Sequence, residues 1–305
     1  MISVTLAFVC IFSILIKIYG IVNLKTLLFL VGLWGANNTL SGQAFYGTTG
    51  LLHMPTADMQ KDKTFMLGGN MLDVNILSRY WVRSEYHPYT YNYYVNITMF
   101  PWLEVGYGCT LVKGIHGSSY WPQQTWGKFV NQDRSFHVRL RAWKEGWWKN
   151  WTPQIVIGTN DPGSHVSNGG GDIDWGGGGN GNHNYLTRYY LAVTKHLDFK
   201  GVGTMGVHAA WIIGKAMDDA HYSRPSVGIN FQFGMKAESF WPKALNGFNL
   251  MAEVCPGHAD DFHTAVYNVN VGGTYSFWKD YINAVVELNR CKYFSGGIIF
   301  KVHLK

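Results

Sequence analysis

Charged and histidine side chains recur at alternate positions in stretches of the chain that otherwise alternate polar with apolar residues. If they line an enclosed passage, their basic excess attracts acidic sugars and opposes cations. Alternatively, they form ion pairs across a narrow interior and fill it. The sequence leaves both interpretations open for Glu104, His137, Arg139, Arg141, Arg188, Glu253, Glu287, Lys301 and His303.

Catalytic motifs are absent from the sequence. It contains neither a G-x-S-x-G nucleophile motif nor an H-E-x-x-H zinc motif, and no serine, histidine and aspartate can be placed together at one rim. The four cysteines are far apart and form no C-x-x-C pair, which disfavours a zinc site. We therefore predict a protein that is not an enzyme and binds no metal or cofactor.

The stretch YTYNYYVNITMF, residues 89–100, shows the alternation most clearly. A period of two is typical of a β-strand, because successive side chains point to opposite faces. The same period recurs through most of the chain after residue 64, and it predicts about twelve strands of about nine to eleven residues. Strands of this length cross a bilayer at a tilt, and an even number is the rule for bacterial single-chain barrels.

The composition indicates which solvent each strand face meets. Charged residues make up only 14% of the chain and aromatic residues 16%, while no apolar run past residue 36 is long enough for a membrane helix. One strand face carries several asparagines and carboxylates, too many for a dry core. The other face carries almost no charge. We therefore predict an all-β, closed antiparallel transmembrane β-barrel with lipid outside and polar side chains inside.

The connections between predicted strands differ in length on the two sides. One set, roughly 73–88, 113–133, 160–183, 213–224, 256–263 and 290–294, begins with three long segments. The other set, roughly 101, 145–151, 196–200, 236–246 and 276–280, is shorter. It is flanked by aromatic residues that suit the headgroup level: Phe100, Trp102, Trp147, Trp148, Trp151, Phe199, Phe240, Trp241, Phe277, Trp278 and Tyr281. Long external loops and short periplasmic turns predict the outer membrane of a Gram-negative bacterium.

The chain divides into three parts by composition. Residues 1–44 look like a targeting segment, with Lys25, an apolar stretch, and Gly42 and Ala44 before a plausible cleavage site. The true start is expected near residues 22–24; an uncleaved anchor at 3–23 is the alternative. Residues 45–63 are interpreted as a periplasmic plug or latch, with a simple arm before the first strand as the alternative. Residues 64–305 form the predicted barrel.

The segment FYGTTGLLHMPTADMQKDK, residues 45–63, carries the most specific motif. Gly50, Leu51, Met54, Pro55 and Ala57, with Gly47 and Met59, resemble the N-terminal signature of the YjbH-domain family of exopolysaccharide-associated outer-membrane proteins. Weaker resemblance continues at residues 101–108, 161–164 and 190–211. The resemblance implies an outer-membrane role in secretion of extracellular or capsular polysaccharide. Many relatives carry additional sequence that this chain lacks.

The loop SNGGGDIDWGGGGNGNHN, residues 167–184, is unusually rich in glycine. Asp172 and Asp174 could supply oxygen ligands to calcium, and Trp175 could stack on a sugar ring. A plain surface loop is the simpler interpretation. No full calcium-binding repeat is present.

Four functions follow from these features. The leading prediction is a non-enzymatic barrel that helps pass or anchor an exported polysaccharide, with outer-membrane lipids and other secretion proteins as partners. A general oligosaccharide or small-solute porin is the alternative. A membrane-embedded hydrolase or acyltransferase, or a soluble lectin-like sandwich, is less favoured. Basic residues form no cluster, so nucleic acid is not expected as a partner.

Overall fold

The computed structural model describes residues 46–73, 90–113, 116, 123–162, 188–215, 221–236, 239–258, 265–278 and 280–304. The predicted targeting segment and the loop residues Asp172, Asp174 and Trp175 lie outside these ranges. The strands are β1 Thr64–Leu72, β2 Thr90–Phe100, β3 Leu103–Lys113, β4 Phe129–Trp143, β5 Gln154–Asn160, β6 Arg188–Phe199, β7 Gly203–Lys215, β8 His221–Phe233, β9 Phe248–His258, β10 Ala265–Phe277, β11 Ile282–Asn289 and β12 Tyr293–His303. A short helix, α1 Phe240–Asn246, precedes β9.

The twelve strands form one closed antiparallel barrel, which confirms the predicted fold class. Each strand pairs with its neighbours in sequence, and β12 pairs back with β1, with Thr64 opposite His303. Closure leaves no strand edge unpaired, as hydrocarbon surroundings require. Among the described helices, none has the length and apolar character to cross a membrane.

Strand lengths vary more than the pattern predicted. β4 has 15 residues and β5 only 7. β5 ends where Asp161 adopts a φ of 51° and its backbone N–H donates to the Phe136 carbonyl, which turns the chain away from the ladder. β7 and β8 extend into the range 213–224, which the alternation had assigned to a loop, and leave only residues 216–220 between them.

The two ends of the barrel differ as predicted. The short-turn end carries the connections 101–102, 144–153, 200–202, 234–247 and 278–281, together with the start of β1 and the end of β12. Tryptophans at this end, among them Trp102, Trp147 and Trp241, are more than half exposed. Amphipathic rings at this level suit a lipid headgroup region.

The outward faces of the strands are apolar and exposed. Val227, Leu191 and Ile298 are each about half exposed, while the residues next to them in sequence, such as Ser226, Ala192 and Ile299, are buried. Two outward residues behave differently: Val271 and Leu288 are each 2% exposed and pack with Ala252 and Cys291. Assignment of these two side chains to the lipid face was therefore wrong, because period two reports the face of a strand and not what covers it.

A charge on the outward face tests the lipid-facing exterior. Replacing Val227, in the middle of β8, with arginine is expected to lower the free energy of unfolding by about 2–4 kcal/mol, because lipid at mid-depth does not solvate the charge. Val202→Arg, the same substitution at the short-turn end, should cost about 0–1 kcal/mol. Denaturant titration in lipid vesicles, followed by tryptophan fluorescence, measures both. Equal costs at the two positions would contradict a lipid-facing exterior.

Candidate functional site

Residues 46–63, the inner segment, run through the interior of the barrel and leave it at the short-turn end. Thr49, Met54, Thr56 and Ala57 are fully buried. The segment folds back on itself between Gly50 and Pro55, which form a bridge, and the Leu51 N–H donates to the Met54 carbonyl at 3.0 Å. Proline has no N–H to donate, so it closes this turn without leaving a buried donor unpaired.

Glu253 on β9 binds the tip of this turn. Its carboxylate accepts hydrogen bonds from three successive backbone N–H groups, those of Leu52 at 3.1 Å, His53 at 2.8 Å and Met54 at 3.0 Å. Asn270 on β10 adds a fourth donor at 2.8 Å. A buried carboxylate that is surrounded by donors in this way is stabilised, and the same bonds satisfy amides that the turn leaves unpaired.

Glu104 and Arg139 form a buried ion pair on the next face of the interior. The Arg139 guanidinium lies 2.8 Å from the Glu104 carboxylate, and both side chains are 0% exposed. Arg139 also donates to the carbonyls of Thr56 and Asp58, and Glu104 accepts from the N–H and hydroxyl of Thr49. The pair is therefore bonded to both arms of the inner segment, which offsets the desolvation of the two charges.

Arg188 on β6 holds the beginning of the segment. Its guanidinium stacks over the Tyr46 ring at 3.6 Å and donates to the His53 carbonyl at 2.8 Å. His53 in turn contacts Glu287 on β11 at 3.0 Å and the Asn289 amide at 3.0 Å. These contacts reach opposite walls of the barrel, so the segment spans the interior.

Acidic and basic groups meet where the segment leaves the barrel. Asp58 lies 3.2 Å from His196 on β6, whose other ring nitrogen lies 2.6 Å from Glu145 in the 144–153 turn. Lys195 also binds Glu145, at 2.6 Å. Partial burial raises the pKa of Glu145, but hydrogen bonds from Lys195 and His196 outweigh burial and hold the pKa below its ordinary value. Glu145 is therefore a stable anion near neutral pH.

An apolar cluster lies among these polar contacts. Leu51, Leu52 and Met54 pack against inward residues of β5–β9: Val156, Tyr190, Ala192, Ala210, Ile212, Met251 and Cys255. Gly228 on β8 leaves the space that Leu51 occupies, since a methyl group there would overlap the Leu51 side chain. The alternation predicts a uniformly polar interior, but the interior also contains this apolar cluster. Small inward residues such as Ala192 and Ala210 leave room for the apolar side chains of the turn.

The residues singled out in the sequence take different places in this arrangement. Glu104, Arg139, Arg188, Glu253 and Glu287 bind the inner segment. Lys301 pairs with Asp280 at 3.1 Å, apart from the segment. Arg141 and His303 are half-buried at the short-turn end, and their hydrogen bonds go to Gln154 and Thr64. The motif residues Gly50, Leu51, Met54, Pro55 and Ala57 all lie in the buried turn or just after it.

Sequence reasoning missed a Ser–His–Asn cluster at the wall. The Ser135 hydroxyl lies 3.3 Å from His137 Nε2, and His137 Nδ1 lies 3.0 Å from the Asn160 amide nitrogen. Ser135 and His137 are two residues apart on β4 and share a face. Asn160 lies on β5, directly opposite His137 in the strand pairing. The S-x-H spacing on one strand was the available signal.

The hydrogen bonds of this cluster fix His137 in a tautomer that cannot act as the base of a hydrolytic triad. Arg188 Nε donates to Asn160 Oδ1 at 2.7 Å, so the Asn160 amide nitrogen must donate to His137 Nδ1. The His137 proton then resides on Nε2 and points at Ser135. A histidine in this state donates to serine and does not accept its proton, whereas a triad base must accept it. Ser135 is also only 3% exposed.

Metal binding is not evident in the described ranges, where no group of three His, Cys, Asp or Glu side chains is arranged to hold an ion.

Comparison with known proteins supports the resemblance seen in the sequence. A family model described as exopolysaccharide biosynthesis protein YbjH matches residues 42–165. The YjbH resemblance is confirmed over this part of the chain. The match covers the inner segment and β1–β5, and it does not extend to the weaker similarity at 190–211.

A curated relative is the uncharacterized lipoprotein YjbH of Escherichia coli (strain K12), which is 29% identical over 121 residues. The aligned region covers 40% of this chain and 14% of that protein. The chain thus matches a small part of a much longer relative.

Solved structures with a similar arrangement show low identity. LpxR from Salmonella typhimurium is 12% identical with a TM-score of 0.35, and the match covers 78% of this chain and 99% of that one. OmpF of Salmonella typhi in complex with daunomycin is 9% identical with a TM-score of 0.27, over 78% and 96%. OprB from Pseudomonas putida is 10% identical with a TM-score of 0.26, over 78% and 90%.

The buried ion pair can be tested by a double-mutant cycle. Glu104→Gln is expected to lower the free energy of unfolding by about 3–5 kcal/mol, because it leaves the Arg139 charge buried without its partner. Arg139→Met should cost a similar amount, and the double variant less than the sum of the two. Denaturant titration in detergent micelles measures each variant.

Glu145→Gln serves as the control for that cycle. This substitution weakens a partly exposed pair and should cost less than about 1 kcal/mol. Strictly additive costs of the two buried substitutions would contradict a direct coupling between Glu104 and Arg139.

Proposed function

We propose that this chain provides a non-enzymatic outer-membrane barrel that works in the secretion of an exopolysaccharide, and that its inner segment is the plug of the closed state. The observation that carries the proposal is the filled interior. Every strand contributes an inward residue that is at most 5% exposed: Met66, Asn96, Glu104, Arg139, Val156, Thr194, His208, Asn230, Glu253, Asn270, Glu287 and Lys301. Such burial does not fit a wide aqueous channel, whose wall would be wet.

The polysaccharide connection comes from the family match. The model described as exopolysaccharide biosynthesis protein YbjH covers the inner segment itself, which is the part of the chain that closes the barrel. A plug that is shared with that family suits a protein whose opening is coupled to a dedicated cargo or to other secretion proteins. The aligned region covers only 14% of the longer relative, so the proposal concerns a secretion role of this chain and not the full activity of that protein.

The surface of the barrel supports the proposed location in the outer membrane. Exposed apolar side chains surround the strands, and exposed tryptophans flank the short-turn end. Short periplasmic turns are usual for outer-membrane barrels, so we assign the short-turn end to the periplasm. The inner segment then enters the barrel from the periplasmic side.

A non-enzymatic role is supported by the state of the polar groups inside. Ser135, His137 and Asn160 come together, but the hydrogen bond from Arg188 fixes the tautomer that does not activate serine. Within the described ranges, Glu104, Arg139, Arg188, Glu253 and Glu287 bind the inner segment, and Lys301 pairs with Asp280. A general porin is disfavoured by the same filled interior.

Conductance tests whether the inner segment is a plug. In planar bilayers the intact protein is expected to stay mostly closed. Gly228→Val should increase the frequency of open events, since a side chain at this position displaces Leu51 from its space. Gly69→Val is the matched control, because Gly69 faces outward on β1 and a Cβ there meets only ordinary contacts. Steady conductance by the unmodified protein would favour a porin.

Deletion of the gene in the source bacterium tests the secretion role. We expect less polysaccharide at the cell surface, with unchanged uptake of small sugars, and recovery on expression of the intact chain. The extracellular polysaccharide is quantified by sugar composition analysis of washed cells and medium. Normal polysaccharide together with impaired sugar uptake would instead identify a porin.

A further inference from the structure

An open pocket of about 320 Å³ lies at the short-turn end, where the inner segment leaves the barrel. Its floor is the end of the inner segment, Asp58 to Lys61, and its walls come from the end of β4, the 144–153 turn and β6. A pocket of this volume lies within the range of small-ligand sites. It faces the periplasm in the orientation assigned above.

Carboxylates in this pocket are already paired. Glu145 contacts both Lys195 and His196 at 2.6 Å, and Asp58 contacts His196 at 3.2 Å. The two carboxylates are thus paired with Lys195 and His196. Among the described residues, neither carboxylate forms an ion pair with Lys61, Arg141 or Lys144.

Three basic side chains from three different elements line the same space: Lys61, Arg141 and Lys144. Lys61 and Lys144 are exposed at the rim, and within the described part of the chain no ion pair engages either ammonium group. Arg141 makes one long hydrogen bond, 3.4 Å, to the Gln154 amide oxygen. The pocket thus presents positive charge that no described ion pair compensates. The Gln154 amide is already engaged, since its nitrogen donates to the Ala57 carbonyl and its oxygen accepts from Arg141. His303 bonds to Thr64 through Nδ1, which leaves its Nε2 as the group that can bind a hydroxyl.

We propose that this pocket binds a carboxylate-bearing sugar unit of an acidic saccharide. The three cations suit a carboxylate, which Arg141 can bind in a bidentate manner, and the His303 imidazole suits a ring hydroxyl. A neutral sugar would leave the cations unused, and a bare inorganic anion would leave the imidazole unused. The assignment rests on the proposed function, since it names the class of polysaccharide that the barrel handles.

Titration calorimetry on the full chain in nanodiscs of zwitterionic lipid tests this assignment. Trigalacturonic acid is the acidic probe, and maltotriose is the neutral probe of equal length. We expect trigalacturonic acid to bind at least about tenfold more tightly than maltotriose, with an affinity that falls as salt is raised. The double variant Lys61→Gln/Lys144→Gln should weaken the acidic probe by about tenfold or more.

Lys149→Gln is the matched control for that double variant. Lys149 lies in the same 144–153 turn, but its ammonium stacks over the Trp148 ring at 4.7 Å and does not line the pocket. Its removal should change the affinity less than about twofold. An equal loss in Lys149→Gln would show a general charge effect of the turn and overturn the pocket assignment.

Two further outcomes would overturn the proposal. Equal affinity for the two trisaccharides would remove the role of the carboxylate. Binding of inorganic phosphate as tightly as trigalacturonic acid, through the same lysines, would identify a simple anion site.

If deletion of the gene still lowers cell-surface polysaccharide while trigalacturonic acid fails to bind, only the pocket assignment falls. If the acid binds but deletion leaves the polysaccharide unchanged, the secretion role falls instead.

Discussion

Charges inside a lipid-surrounded cylinder must be neutralised from within, and this requirement organises the molecule. The inner segment meets it with its backbone as much as with its side chains. Glu253 is satisfied by three amides of the 52–54 turn, and Arg139 by two carbonyls as well as Glu104. Removal of the segment would leave these groups buried without partners or expose them to water. The barrel wall and the segment are therefore one structural unit.

The same constraint explains why the segment has a mixed surface. Its backbone groups face carboxylates and a guanidinium, while Leu51 and Met54 face a patch of small inward residues. Polar contacts fix the orientation of the turn, and the apolar contacts exclude water that would otherwise compete for those hydrogen bonds. Gly228 leaves room for the segment at the wall, because any larger residue there would compete with Leu51 for space.

Local pattern carried most of the information about the wall and little about the partners inside it. Period two identified the strands and their inward residues, since one face meets lipid and the other does not. It also placed Glu104 and Glu253 on the inward face. It did not show that their partners are the backbone amides of residues 49 and 52–54. Every residue except proline has a backbone N–H, so no residue type in the sequence indicates which N–H groups bind a carboxylate.

The errors have equally physical origins. β7 and β8 continue past their apolar stretches because hydrogen bonding between strands does not depend on side-chain polarity, as the pairing of Lys215 with His221 shows. Val271 and Leu288 point outward but are buried, since they pack with each other, with Ala252 and with Cys291 of the 290–292 turn, and alternation along one strand does not reveal such contacts. Asn160 meets Ser135 and His137 only through the register of β4 against β5, which no single strand reveals.

The order of events during assembly follows from how far apart the interior partners are in the chain. Leu52 binds a residue 201 positions later, and His53 binds one 236 positions later. These bonds cannot exist before the last third of the polypeptide has been made and inserted, and contacts of such long range form slowly. Until the newly made β9 and β11 contact the inner segment, water solvates their acidic groups. Expulsion of that water is consequently a late step in maturation, and a nascent barrel passes through a stage with a wet interior.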